Sequence, residues 1–523
     1  MAEPLRCLPP DALVVGYDFS TGGAKALAFD LSGNVIASAR LPTDLWTDYL
    51  PTNDSATVRD GGSRELNLMQ LEGQARAATR AVAAELGDRV RHWHVAGVSA
   101  THHSAGRVDA RHNQIRRAIC WNDQTLAKFH AEALARLGGQ DRARELTGGP
   151  WAVRYSLSHL AKDEATLSDA DWRRTKWVLP HGPLAAGYLT DRWGVTSVSS
   201  AASTGIMDLR TNAWRREMLD ALARPEYREL AWETLPRIID MNEAVGQLAE
   251  SVALDAGLPP AVRPAVFPTL DDQAAGLIGG GAVDAGQVAV ILGNSAVVNS
   301  SSAELPRSGT LDAMKLKWGP YLWMRCYSNG AQFLDRVVGP NRTRDEWTNL
   351  TAAAAAVPLR CGGVAVMPFL LSEPSVGIQD PWMQWFPNEP SEAGVRLRAS
   401  FEAIAYLIAR GVNEHVAAGQ SVTRVTISGG IAKNDLMAAI LASVLNRPLD
   451  RLVSDEGSAL GAAVAAVAGA EAGVRKARRI AEPFTAADAV AAMVKFRDRV
   501  EPRAEWVKAY AEGFAEFEQR LKR

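Results

Sequence analysis

Cysteine is scarce in this chain: four in 523 residues, at positions 7, 120, 326 and 361, with neither CxxC nor zinc-finger spacing. That excludes a disulfide framework and a structural zinc site, and it fits a reducing compartment. An excess of charge of one sign is missing too. A formal net charge of −2, with acidic and basic residues interspersed, gives no electrostatic footprint for nucleic acid or an anionic membrane. Long apolar runs are absent: the longest without a charge, Ala459–Ala470, is too short to cross a bilayer, and Met1–Pro10 carries one Arg and no apolar core. The expectation is a soluble, cytoplasmic protein that takes a small molecule and neither nucleic acid nor membrane. With 523 residues the chain exceeds the roughly 250–300 at which single cores stop growing, which predicts two large domains.

What the chain does have is a set of short strands ending in polar, glycine-containing turns. Leu13–Asp18 reads as a buried strand, followed by Phe19-Ser20-Thr21-Gly22-Gly23, an apolar run Ala26–Phe29 and a third around Val35–Ala37. Asp18 enters the turn and Lys25 leaves it. Such a turn is a phosphate cradle or an ordinary glycine-rich hairpin; it does not match the Walker pattern. Residues 42–70 read as a surface excursion and Leu71–Leu86 as a helix. The strand from Val95 delivers His102 and His103 into a loop, and Arg117–Gln124 brings Trp121 and Asp123. An aromatic ring beside a carboxylate suits a polyol. The paired histidines read as solvated residues or hydrogen-bonded supports rather than metal ligands, because no third ligand is nearby in sequence. The Ser/Thr/Ala run Thr196–Thr204 is either a ligand loop or a polar connection.

Near the middle stands Pro268-Thr-Leu-Asp-Asp-Gln-Ala-Ala-Gly-Leu-Ile-Gly-Gly-Gly281. A short strand ends at Val266-Phe267, and Asp271 and Asp272 open a helix, so each is locally a helix cap or a base. Its glycines suggest a dinucleotide fold only weakly, since they follow the first helical turn and have no acidic partner at the proper distance. Asp284–Asn299 then repeats the strand–turn–strand unit around Gly293-Asn294-Ser295, which predicts two related domains. Arg424–Asn434 is a strand, a Gly429-Gly430 turn and a helix start, and Glu456–Ala463 opens a small-residue helix suited to close packing.

Together and in this order, these pieces resemble the FGGY carbohydrate kinases, xylulokinases and related pentulose kinases most, over about residues 12–470. The resemblance implies an α/β fold of two actin-like (ribonuclease H-like) ATPase domains flanking a catalytic cleft, at 10–278 and 279–475, with a charged helical extension at 476–523. It implies ATP and Mg2+ as cofactors and a ketose phosphorylated at a primary hydroxyl, most like a pentulose such as xylulose. Asp272 is then the base. Asp18, Ser20, Thr21, Lys25, Gly293, Asn294 and Ser295 serve the phosphates, with Asp18 toward the metal. Gly429, Gly430 and Asn434 line the adenosine pocket, and His103, Trp121 and Asp123 grip the sugar. A homodimer is expected. A catalytically impaired relative that binds sugar or nucleotide as a regulator is the alternative. Departures from the family's motifs fall mainly on the sugar side: Thr101, Thr125, Pro180–Leu184 and Ser372-Glu373-Pro374. The sugar is thereby left more open than the reaction.

Overall fold

The computed structural model describes residues 7–51, 58–307, 309–340 and 342–522; parts of the 42–70 excursion and of Met1–Pro10 lie outside them. The chain forms two compact units. The first holds Met1–Gly279, Asp312–Leu322 and Ser458–Val494, and the second Gly280–Leu311, Trp323–Gly457 and Lys495–Arg523.

In the first unit the strands Leu13–Phe19, Gly23–Asp30 and Val35–Pro42 form an antiparallel meander, and Trp93–Ala100 joins Leu13–Phe19 in parallel. Ala265–Val266 and Leu270–Asp271 pair in parallel with Trp93–Ala100. Register decides what this sheet is for. Asp18 stands opposite Ser99 and Leu270 opposite the same Ser99, so distant parts of the chain end side by side at one edge.

One face of that sheet is covered by the helix Gly457–Arg478, which packs backbone against backbone. A Cβ on Gly16 would lie 1.9 Å from the Ala459 carbonyl oxygen, and one on Gly97 2.0 Å from that of Ala462. On the helix itself, a Cβ at Gly461 would lie 1.9 Å from the Ala275 carbonyl oxygen. Only glycine at these points allows so close an approach. This helix is long and apolar enough to cross a membrane, and most of it is buried within the protein.

The second unit repeats the plan. Gln287–Leu292 and Ala296–Ser302 are antiparallel, and Arg424–Ser428 joins Gln287–Leu292 in parallel, followed by Leu449–Leu452 and an antiparallel edge strand Phe496–Val500. The helix Ala393–Ala417 fills its core with Leu397, Phe401, Ile404 and Ile408.

The division differs from the sequence expectation at the C-terminus. Ser458–Val494 returns to the first unit, drawn there by the small residues of its helix, so the second unit is not one continuous stretch to 475. Nor is the charged tail a solvated extension. Trp506, Tyr510 and Phe517 of the helix Ala504–Leu521 are buried in the second unit's core, and the Tyr510 hydroxyl lies between Arg398 (2.9 Å) and Glu402 (3.1 Å). Its apolar residues recur at helical spacing among charges, and the charge count masked that stripe.

Candidate active site

The sheet edge of the first unit gathers carboxylates. Asp18, at the end of its strand, is 8% exposed and accepts from Ser99 Oγ at 3.1 Å. The turn that follows is closed by its own side chain: Ser20 Oγ donates to the Gly23 carbonyl at 2.9 Å and accepts from Gly23 N at 3.1 Å. Ser20 is thus spent on the turn, while Thr21 is part-exposed beside it. Lys25 faces Asp18 across the meander.

Asp271 and Asp272 divide the two local readings between them. Asp271 is the cap: Oδ1 accepts from Ala274 N at 2.9 Å, and Oδ2 from Ser199 Oγ at 2.5 Å. Asp272 opens the helix Asp272–Gly279, accepts from His102 N at 3.3 Å, and is part-exposed. Burial, with the Asp271 and Asp18 carboxylates beside it, pushes the Asp272 carboxyl up to about 8. Ser199 belongs to the Ser/Thr/Ala run that sequence alone left undecided, and it buttresses the carboxylate pair. The Gly276–Gly281 stretch lies in the helix and its exit rather than at a strand-to-helix turn, which removes the dinucleotide reading.

His102 and His103 are stacked rings, centroids 3.7 Å apart, and His103 stacks in turn on Tyr155 at 4.3 Å. His103 holds a left-handed backbone (φ 62°), and its Nδ1 meets the Ser203 carbonyl at 2.8 Å. Burial lowers both imidazole pKa values, so both rings are neutral near pH 7. Donor atoms of His102, Asp271 and Asp272 lie within 4.8 Å of one another, so the ligand missing from the local sequence arrives through the fold. Each Asp271 oxygen already accepts one hydrogen bond.

Asp123 sits in the expected loop and has a structural task there. Its buried carboxylate accepts from Arg64 N at 3.0 Å, Thr125 N at 2.9 Å and the Thr125 hydroxyl, with Lys162 Nζ at 3.5 Å. It caps the turn Gln124–Leu126 and holds the loop that presents Trp121, which is 40% exposed. The Asp carries out the capping chemistry that its residue type favours everywhere.

In the second unit, Gly293 N donates to the Ser295 carbonyl at 3.0 Å, closing a turn with Asn294 exposed at its tip. Ile291 pairs with Ser428, which puts this turn and Gly429 at one sheet end. Gly429 has φ 94°, and a Cβ there would lie 2.4 Å from the Leu292 carbonyl oxygen. Asn434 is the cap of the helix Asp435–Leu445: its side-chain oxygen accepts from Leu436 N and Met437 N, and its nitrogen donates to Thr351 at 2.8 Å. It shapes the turn with both ends of its amide. A cavity beside Gly429 is lined by Ser428, Lys433, Arg451, Ser454 and Asp455.

Sequence reasoning passed over Arg154, Asp312 and Lys317. Asp312 pairs with Arg154 and accepts from the Tyr155 hydroxyl at 3.2 Å, and buried Lys317 donates to the Pro268 carbonyl at 2.6 Å. Neither contact has a local sequence signal, because each joins residues far apart in the chain.

Twin sheets of this order, each opening on a polar turn between antiparallel strands, define the actin-like ATPase fold. Within that class the chain belongs to the FGGY family of carbohydrate kinases, whose N-terminal domain matches residues 13–279 and whose C-terminal domain matches 316–470. It is 25% identical to a xylulose kinase of Klebsiella pneumoniae over 440 residues, covering 80% of this chain and 82% of that one. It is 27% identical to a glycerol kinase of Gloeobacter violaceus, covering 84% of each. The crystal structure of xylulose kinase from Rhodospirillum rubrum superposes with a TM-score of 0.80 at 21% identity, covering 98% of both chains. The protein is a carbohydrate kinase, with ATP as phosphoryl donor and a small sugar as acceptor.

Proposed function

We propose that the chain transfers the γ-phosphoryl group of ATP to a primary hydroxyl of a ketose, a pentulose such as xylulose, with Asp272 as the base. The observation that carries this is the division of labour in the carboxylate pair. Asp271 is consumed by the cap and by Ser199, whereas Asp272 is part-exposed with a proton affinity near neutrality. A group of that affinity exchanges a hydroxyl proton at working pH. Phosphoryl transfer otherwise demands positioning and charge stabilisation.

The side chains also fit a magnesium ion, which takes oxygen ligands. Asp18 is the carboxylate for it, since Asp271 is held in the helix cap and by Ser199 and Asp272 faces the acceptor. The like charges that raise the Asp272 pKa are those a cation offsets. When bound, the ion neutralises phosphate charge. The remaining work falls to the chain: His102 N and Ser199 hold the carboxylate pair in place, and Thr21, Lys25 and the Gly293-Asn294-Ser295 turn contact phosphates. Gly429 and Gly430, shaped by the Asn434 cap, admit the nucleoside. Trp121, on the loop that Asp123 braces, and His103 flank the sugar.

The test is ADP release from Mg-ATP across pentuloses, hexuloses, pentitols and glycerol. Release that depends on a pentulose, and that Asp272→Asn abolishes without unfolding, supports the proposal. Acceptor-independent release throughout the panel would sink it.

A further inference from the structure

Asp312–Leu322 belongs to the first unit although both chain neighbours belong to the second. It is a hairpin, closed by Leu316 N to the Pro320 carbonyl (2.9 Å) and by Lys315 over the Tyr321 ring (3.9 Å). Its outer contacts reach the acceptor side of the carboxylate cluster. Lys317 fastens the Pro268 carbonyl, four residues before the base, and Asp312 meets Arg154 and Tyr155.

Between those two ends runs the ladder of rings His102, His103 and Tyr155. His102 Nε2 lies 3.7 Å from Asp271 Oδ1 and the His102 amide donates to Asp272 at 3.3 Å, which sets the near end beside the base. The Tyr155 hydroxyl, 3.2 Å from Asp312, sets the far end. Along the ladder, both ring nitrogens of His102 and Nε2 of His103 are buried with no hydrogen-bond partner. Buried polar atoms are almost always bonded, so unpartnered ones in a row mark where a ligand's hydroxyls complete the bonding. A neutral imidazole both donates and accepts, as a hydroxyl does.

Length decides which acceptors reach the far end. The two stacking steps are 3.7 and 4.3 Å. A carbon chain with bonds of about 1.5 Å spans roughly 2.5 Å over three carbons and roughly 5 Å over five. With its reacting hydroxyl at Asp272, a five-carbon chain carries its last hydroxyls roughly 2.5 Å farther along the ladder toward Asp312 and Arg154 than a three-carbon polyol does. A carboxylate accepts from such hydroxyls and a guanidinium donates to them.

We propose that Asp312, carried by the inserted hairpin and paired with Arg154, selects acceptors of five or more carbons over glycerol. This deepens the kinase reading and rests on Asp272 marking the position of the reacting hydroxyl.

The experiment is calorimetric binding of xylulose, ribulose, xylitol and glycerol to the full chain, with ADP release measured in parallel. In the unaltered protein the best five-carbon acceptor binds at least tenfold more tightly than glycerol. Asp312→Asn, which keeps the shape and the Tyr155 contact, and Arg154→Lys, which keeps the charge but loses the planar fork, shrink that ratio below threefold. Both variants are checked for an unchanged melting temperature. A ratio above tenfold in both folded variants overturns the assignment, as does a protein that binds glycerol and xylulose equally. If selective binding obeys the prediction but no acceptor yields ADP, the catalytic reading fails and the recognition site stands.

Discussion

Asp271 and Asp272 are adjacent in the chain and opposite in use: Asp271 accepts from Ala274 N at 2.9 Å and caps the helix, while Asp272 accepts from His102 N at 3.3 Å at the start of the same helix. The two therefore fail differently when neutralised. Asp272→Asn lowers kcat by about 10²–10⁴-fold, the usual share of a general base, and leaves the melting temperature unchanged or raised. Asp271→Ala loses a cap and the Ser199 contact and costs about 0.5–2 kcal/mol of stability. Turnover and thermal denaturation on both variants separate the roles, and a reversed pattern rejects the assignment.

The Asp272 carboxyl also writes a pH dependence. Its pKa in the fold is about 8, raised from an ordinary 3.8. In that interval the folded state binds the proton more tightly than the unfolded state. The stabilisation is thus fully present below about pH 4 and is lost as pH rises through about 8. Comparing melting temperatures of the ligand-free protein and Asp272→Asn from pH 5 to 9, the difference should grow in favour of Asn as pH rises. Catalysis runs the other way: kcat/KM climbs as the base loses its proton, and this limb moves to lower pH with bound cation. A flat profile for both quantities contradicts the shift.

A second carboxylate is structural. Asp163, fully buried, accepts from Arg107 Nε at 2.6 Å, and Arg116 Nε lies 2.7 Å away, with the Arg107 guanidinium 3.9 Å over Trp172. The two arginines hold its pKa below the ordinary value, so its contribution is present above that value and lost as pH falls through the lowered one. Asp163→Ala strands two buried guanidinium groups and costs about 3–5 kcal/mol. Urea denaturation measures this; a loss under 1 kcal/mol would show the pair to be dispensable.

Gly461 tests the backbone contact behind the base. A Cβ there stands 1.9 Å from the Ala275 carbonyl oxygen, whereas at Gly473, on the same helix, the nearest atom is 3.5 Å away. Gly461→Ala costs about 1–3 kcal/mol by overpacking and shifts the Asp272–Gly279 helix, lowering kcat as well. Gly473→Ala is neutral or stabilising. Equal behaviour of the two would refute the close contact.

The turns of the candidate site are legible in the sequence because their parts are local. Strand-end turns such as Ser20–Gly23 and Gly293–Ser295 show in sequence, since their backbones need particular residue types within a few positions. The same locality hides a further task of two residues. Asp123 and Asn434 sit in the expected loops, yet their side chains cap turns and helices, and a residue type that serves as ligand or cap equally well does not announce which.

By itself the sequence determined the two-unit α/β plan, the polar strand-end turns and the carboxylate pair, because each depends on spacing within a short stretch. The family resemblance leaves Asp271 as a support or capping residue; the tertiary structure alone supplied the partners, since the hydroxyl of Ser199 and the amide of His102 that complete the two environments come from elsewhere in the chain. It alone brought the hairpin Asp312–Leu322 to Arg154 and Tyr155, and returned Ser458–Val494 to the first unit. Those contacts join residues that no local periodicity links: chain topology places them, and burial and hydrogen bonding then fix them.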